Sequence, residues 1–115
     1  MITVYGINNC GSVKKAREFL ESQGVKYRFV DMKKQAPSLD KITQWLESIP
    51  LATLLNTKGT TYKQLGLKGK HLSLSATKQL LEEFPTLIKR PVIENTDGRV
   101  IVGFDAELYQ EIWGL

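Results

Sequence analysis

The only cysteine of the chain, Cys10, lies in YGINNCGSVKKAREFL (residues 5–20), where an apolar run gives way to a helical pattern. Its neighbours Asn8, Asn9, Gly11 and Ser12 are small or polar, so the sulfur is expected to face solvent. A helix starting at residue 11 would aim its unpaired N–H groups and the positive end of its dipole at position 10. That environment favours an anion and makes a thiol give up its proton more readily. Lys14 adds a positive charge one turn on, and Lys15 lies close by. The chemistry open to such a residue is nucleophilic attack by a thiolate. The bland alternative is a buried structural cysteine, since free cysteine is among the most buried residue types. The polar neighbours oppose it.

A single cysteine cannot form an internal disulfide. A structural zinc site is not expected either, because His71 is the only other soft ligand and sits in the loop-like GLKGKHLSL. There it reads as an exposed or capping histidine. The second candidate for chemistry is Arg90-Pro91, because the planar fork of arginine suits oxyanions and carboxylates. A solvated charge at the start of a strand is the ordinary reading of the same residue. Gly59, Thr60 and Thr61 offer N–H and hydroxyl donors for a carboxylate. A plain loop before a helix explains them almost as well.

These residues need elements to hold them. ITVYG (2–6) is apolar, β-branched and aromatic, as a buried strand is. Val13, Ala16, Phe19 and Leu20 then follow helical spacing until Gly24, which predicts a helix over 11–24 with a glycine cap. VKYRFVDM (25–32) alternates with the period of a strand, so the chain opens β-α-β. PSLDKITQWLESI predicts a helix with Ser38 as N-cap and Pro50 as its stop. LATLLN and TTYKQLGL read as two short helical pieces around Lys58-Gly59. SATKQLLEEF reads as a helix capped by Ser73 or Ser75 and ended before Pro85. No strand is expected in this block. RPVIEN and RVIVGF flank Thr96-Asp97-Gly98, a hairpin turn signal. DAELYQEIW closes the chain as a helix capped by Asp105, with Leu108, Tyr109, Ile112 and Trp113 on one face.

At 115 residues the chain is expected to form one domain, 1–115. With 24% charged and 42% hydrophobic residues it has the make-up of an ordinary globular protein. No apolar run reaches the roughly 18–20 residues of a membrane span, and MITVYG has no signal-peptide character. A cytoplasmic location is the expectation. Net charge is +4, but no basic run is longer than two residues and no motif that reads RNA or DNA accompanies them. Direct nucleic-acid binding is therefore not expected, and a small anion or an acidic protein surface fits the balance equally well.

A β-α-β followed by β-β-α, with a cysteine opening the first helix and an X-Pro opening the third strand, resembles the thioredoxin fold. More narrowly, YGINNCGSVKKAREFL, LLNTKGTTYKQLGL, IKRPVI and VGFDAELYQEIW resemble, in order, the ArsC/Spx family of arsenate reductases and their relatives. KGTTY and KRPVI are most similar to its YffB-like branch, suggested to be glutathione-dependent thiol reductases. The resemblance implies an α/β fold, a thioredoxin-like mixed sheet with an all-helical insertion at about residues 35–88. It implies a cis Pro91 against Cys10, and Arg90 as an anion ligand, since in the arsenate reductases the arginine before this proline holds the oxyanion.

Thioredoxins carry a second cysteine three residues on, where this chain has Val13. A mixed disulfide on Cys10 would therefore need an external thiol to resolve it, either glutathione or a thiol on a partner protein. The missing cysteine also departs from Spx-type regulators that carry the pair. Glutathione-coupled arsenate reductases use two further arginines, and matching the segments puts Asn56 and Phe104 at those positions. Lys58 supplies some of the lost charge but lacks the fork. The expected site is thus Cys10 as nucleophile with Arg90, Pro91, Lys58, Asn56 and Lys14 as anion-site residues. No cofactor or metal is expected to be bound, and glutathione is the expected co-substrate of a thiol oxidoreductase. Arsenate reduction is not expected. The alternative is a regulator of the Spx type, which would present the helical block 38–84 to RNA polymerase. A monomer with no membrane contact satisfies either reading.

Overall fold

The computed structural model describes residues 1–114. Its elements in chain order are β1 (Ile2–Gly6), α1 (Gly11–Ser22), β2 (Tyr27–Asp31), α2 (Leu39–Leu46), α3 (Leu51–Leu54), α4 (Thr60–Gln64), α5 (Leu74–Glu83), β3 (Val92–Glu94), β4 (Val100–Val102) and α6 (Ala106–Trp113). A 3-10 turn, Pro85–Leu87, follows α5. Contacts divide the chain into two units: Met1–Met32 with the chain from Arg90 onward, and Lys33–Lys89.

The first unit is a four-stranded mixed sheet of order β2-β1-β3-β4. β1 runs parallel to β2 and antiparallel to β3, and β3 runs antiparallel to β4. This is the β-α-β/β-β-α order read from the sequence. Ile2 and Val4 alternate onto one face of the sheet, where they join Ile93 and Ile101 against Ala16 and Leu20 of α1 and Tyr109 of α6. Burying a side chain such as Leu20 contributes about 1.5–3 kcal/mol. The Tyr109 ring meets Phe19, Phe104 and Trp113 edge-on, at centroid distances of 5.7, 5.0 and 5.0 Å.

α1 stops at Ser22, two residues short of the predicted end. Gly24 N–H donates to the Glu21 carbonyl and Val25 N–H to the Leu20 carbonyl, with Gly24 at φ +70°. That is a Schellman motif, which occupies residues 23–25 and delays β2 to Tyr27. In the β3–β4 turn, Asn95 and Arg99 pair through Asn95 N–H and the Arg99 carbonyl (2.8 Å), and Gly98 takes φ +89°. Asp105 Oδ1 accepts from the N–H groups of Glu107 and Leu108 and so caps α6.

In the second unit α2 packs on α5, with Ile42, Trp45, Leu54, Leu81, Leu87 and Ile88 buried. Ser38 Oγ caps α2 by accepting from Lys41 N–H, and Ser73, rather than Ser75, caps α5 through Ala76 N–H. α2 gives up regular helix after Leu46 although its predicted run reaches Ile49. Glu47 and Ser48 N–H bond back only three residues, to Gln44 and Trp45. Ile49 N–H still bonds back four residues, to the Trp45 carbonyl at 2.9 Å, and Pro50 then bars any further turn. As expected, the described residues of this block hold no strand, and their one extended pairing is a single isolated bridge. Leu55 and Ile88 form an isolated antiparallel bridge, supported by Asn56 N–H to the Leu87 carbonyl (2.8 Å) and Lys89 N–H to the Leu54 carbonyl (2.7 Å). Pro85 ends α5, and Ile88 is left extended to make this pairing. Among the described residues no helix is long and apolar enough to cross a membrane.

Candidate active site

Cys10 is the N-cap residue of α1. Its backbone is extended (φ −109°, ψ 124°), and its carbonyl accepts the first helical bond, from Lys14 N–H at 3.0 Å. Its side chain makes no capping hydrogen bond, the first turn carries no acidic residue, and the sulfur-bearing residue is half-buried. A helix of this length presents N–H groups and a positive dipole end to whatever lies at its N-cap. The arrangement therefore suits an anion on residue 10.

Gly6 sets where this helix start lies. An added Cβ at Gly6 would stand 2.8 and 2.9 Å from the two methyls of Val13 and 3.4 Å from the Phe29 ring. Val13 is 1% exposed, so α1 is seated on the end of β1 through a contact only glycine permits. Val13 thereby fills with a core side chain the position where a second thiol would stand.

The register explains what surrounds Cys10. Tyr5 pairs with Val92, and Val92 with Val102. The residues leaving β1, those entering β3 and those leaving β4 are therefore at one end of the sheet. The segment carrying Cys10, the Arg90-Pro91 pair and Gly103 share that end. The Arg90–Pro91 peptide is cis, as the resemblance implies, with Pro91 buried and Arg90 half-buried. Pro91 is tied down by a chain of bonds that the sequence reading missed. Its carbonyl accepts from Gly103 N–H (2.8 Å), and the Gly103 carbonyl accepts from the buried Tyr109 hydroxyl (2.6 Å). Gly103 takes φ +82°, and a glycine between a strand and a helix cap was the signal available in the sequence.

Along α1 from Cys10 runs an open groove of about 280 Å³, lined by Asn8, Val13, Lys14, Arg17, Glu18 and Glu21. Lys14 is exposed on it. Arg17 is spoken for: its guanidinium lies 4.0 Å over the Phe29 ring, and its Nε donates to the Tyr27 hydroxyl at 2.9 Å. Such a stacked, hydrogen-bonded arginine is a fixed charge. Tyr5, at the end of β1, donates its hydroxyl to Glu94 at 2.8 Å, and its phenol is pushed up to about 12 by burial and then by the Glu94 carboxylate.

Of the residues singled out in the sequence, Cys10, Lys14, Arg90 and Pro91 belong to the first unit, and Asn56 and Lys58 to the second. Lys58 is exposed in the turn after α3. The Asn56 side chain lies against Gly59, where an added Cβ would come 2.5 Å from Nδ2. Phe104 belongs to the aromatic cluster around Tyr109, a packing role and not an anion-binding one.

The ArsC family model matches residues 5–112. An uncharacterized protein of Haemophilus influenzae is 37% identical over 96% of both chains. The global transcriptional regulator Spx of Listeria innocua is 28% identical, over 93% of this chain and 82% of its own. Among solved structures, that of the YFFB protein is similar with a TM-score of 0.89 at 32% identity, over 98% of this chain and 99% of its own. A redox or regulatory protein of thioredoxin fold is what these likenesses support. The chain belongs to the ArsC family, of thioredoxin-like fold.

Proposed function

We propose that the protein is a single-cysteine thiol oxidoreductase that works with glutathione. The Cys10 thiolate attacks one sulfur of a disulfide substrate, the S–S bond breaks, and the other sulfur leaves as a thiolate. Cys10 is then joined to half of the substrate. When that half is glutathione, the thiolate of a second glutathione attacks its sulfur, releases oxidised glutathione and returns Cys10 to the thiolate. One mixed disulfide and one glutathione thiolate thus give one substrate thiolate and one oxidised glutathione, and Cys10 ends as it began. Arg90 holds a carboxylate of the incoming thiol, and Lys14 adds charge next to the sulfur.

The observation that carries this reading is the uncapped start of α1, where Cys10 stands with no second cysteine in the chain. Incubation with oxidised glutathione followed by intact-mass spectrometry tests it. One glutathione per chain is expected, absent in Cys10→Ser and removed by reduced glutathione. A protein that stays unmodified while an unfolded control reacts would sink the proposal.

A second reading has its own support in the Spx relatives. As a regulator, the protein would bind RNA polymerase and leave thiol chemistry aside. A stoichiometric complex with purified polymerase that survives Cys10→Ser favours it.

A further inference from the structure

No aspartate or glutamate occurs between Glu47 and Glu82, yet Lys58, Lys63, Lys68, Lys70 and Lys78 all fall in that span. These lysines outnumber the chain's whole net charge of +4, so the positive excess resides here. Within the second unit, an open groove of about 340 Å³ is lined by Thr57, Tyr62, Lys63, Gly66, Leu67 and Lys68. The end of α4 builds it. Gly66, at φ +64°, bonds back to the Lys63 carbonyl, and Leu67 N–H bonds to the Tyr62 carbonyl. This Schellman geometry brings the residue after the glycine toward the one five positions earlier, here Leu67 toward Tyr62. Lys63 and Lys68 are exposed, and no carboxylate lines the groove. Farther along the same span Leu72 and Leu74 are 43% and 53% exposed, unusual for large apolar side chains in this chain.

We propose that this groove docks an acidic, amphipathic segment of a partner protein. An apolar side chain of the segment packs on Tyr62 and Leu67 in the groove, and its flanking carboxylates meet Lys63 and Lys68. Charge complementarity selects this occupant. A second copy of the chain in a two-fold contact would set lysine against lysine. Nucleic acid would gain nothing from the exposed leucines, and the span contains no arginine to fork onto phosphate. A bilayer is flat and would leave the concave groove unfilled.

The test uses the full chain and a short fluorescein-labelled peptide of Glu, Asp, Leu and Phe at helical spacing, read by fluorescence anisotropy. Parallel arms use the same peptide with Gln and Asn for its acids, the same peptide with Ala for Leu and Phe, a polyuridine oligonucleotide, and phosphatidylserine vesicles. Saturable binding of the intact peptide is expected, weakened by salt and by at least about tenfold in K63E/K68E, since charge reversal at a complementary rim costs affinity. Gly66→Ala, which strains the left-handed turn, should weaken it as well. K63E/K68E should still form the glutathione adduct on Cys10, so the docking and thiol readings fail separately. Absence of saturable binding, binding unchanged in K63E/K68E, or equal affinity for the oligonucleotide, the vesicles or either altered peptide overturns the proposal.

Discussion

Gly6→Ala should loosen the seat of the candidate nucleophile without touching it. The new methyl would lie 2.8 and 2.9 Å from the methyls of Val13, below any real carbon–carbon contact. Val13 cannot swing aside, because a β-branched side chain on a helix has essentially one rotamer. The strain therefore passes to α1 itself, at roughly 1–3 kcal/mol for overpacking. Loss of glycine freedom in the unfolded chain returns about 0.4–1 kcal/mol, which leaves a net loss of about 1–2 kcal/mol. Val13→Ala alone should cost about 2 kcal/mol in buried methyls and cavity. It also removes the very atoms that the added methyl would strike, so the double variant should be more stable than the sum of the two losses by at least about 1 kcal/mol. Urea titrations of the four proteins, followed by circular dichroism, measure this coupling. Reaction of Cys10 with iodoacetamide should slow in Gly6→Ala and recover in the double variant. Additivity within about 0.5 kcal/mol would refute the contact as the thing that positions α1.

Tyr109→Phe keeps the ring but strands the buried Gly103 carbonyl. A loss of about 1–3 kcal/mol is expected in the same titration; no change would mean that the carbonyl finds another donor. Tyr5 holds its proton more tightly when folded, so its contribution is intact below its ordinary value of 10.0 and is lost as pH rises toward about 12. Stability should fall across that alkaline window, and Tyr5→Phe should flatten the fall. Arsenate reduction, assayed with glutathione and glutaredoxin, should run at least about a hundredfold below a known glutathione-coupled arsenate reductase. If Asn56 and Phe104 stand where those enzymes place arginines, as the resemblance implies, each missing donor costs about 2.7–4 kcal/mol, and 1.36 kcal/mol is tenfold in rate. Comparable turnover would show that other residues supply the charge.

Features set by local chemistry were legible in the sequence. Ser38 and Asp105 cap helices because their oxygens reach N–H groups two or three residues on, a pattern confined to a few adjacent residues. Strand and helix periods around residues 2–31 and 92–113 were readable for the same reason. What escaped reading depends on residues far apart in the chain. The Leu55–Ile88 bridge needs partners with two helices between them. At the candidate site, Cys10 and Arg90-Pro91 stood out by residue type. Gly6, Gly103 and Tyr109 did not, because their part is to hold neighbours in position and their side chains or backbones carry no reactive group.

Val13, buried beneath Gly6 in place of a partner thiol, changes what the oxidation state of Cys10 would report in the proposed reaction. A dithiol that closes on itself consumes two molecules of glutathione for each disulfide opened, so its reduced fraction follows the square of the reduced concentration over the oxidised one. Dilution at constant ratio shifts it. Cys10 exchanges one glutathione for another, and its reduced fraction follows the plain ratio of the two forms. The same pool at half the concentration leaves it unmoved. Such a protein would read the composition of the thiol pool and be blind to its size.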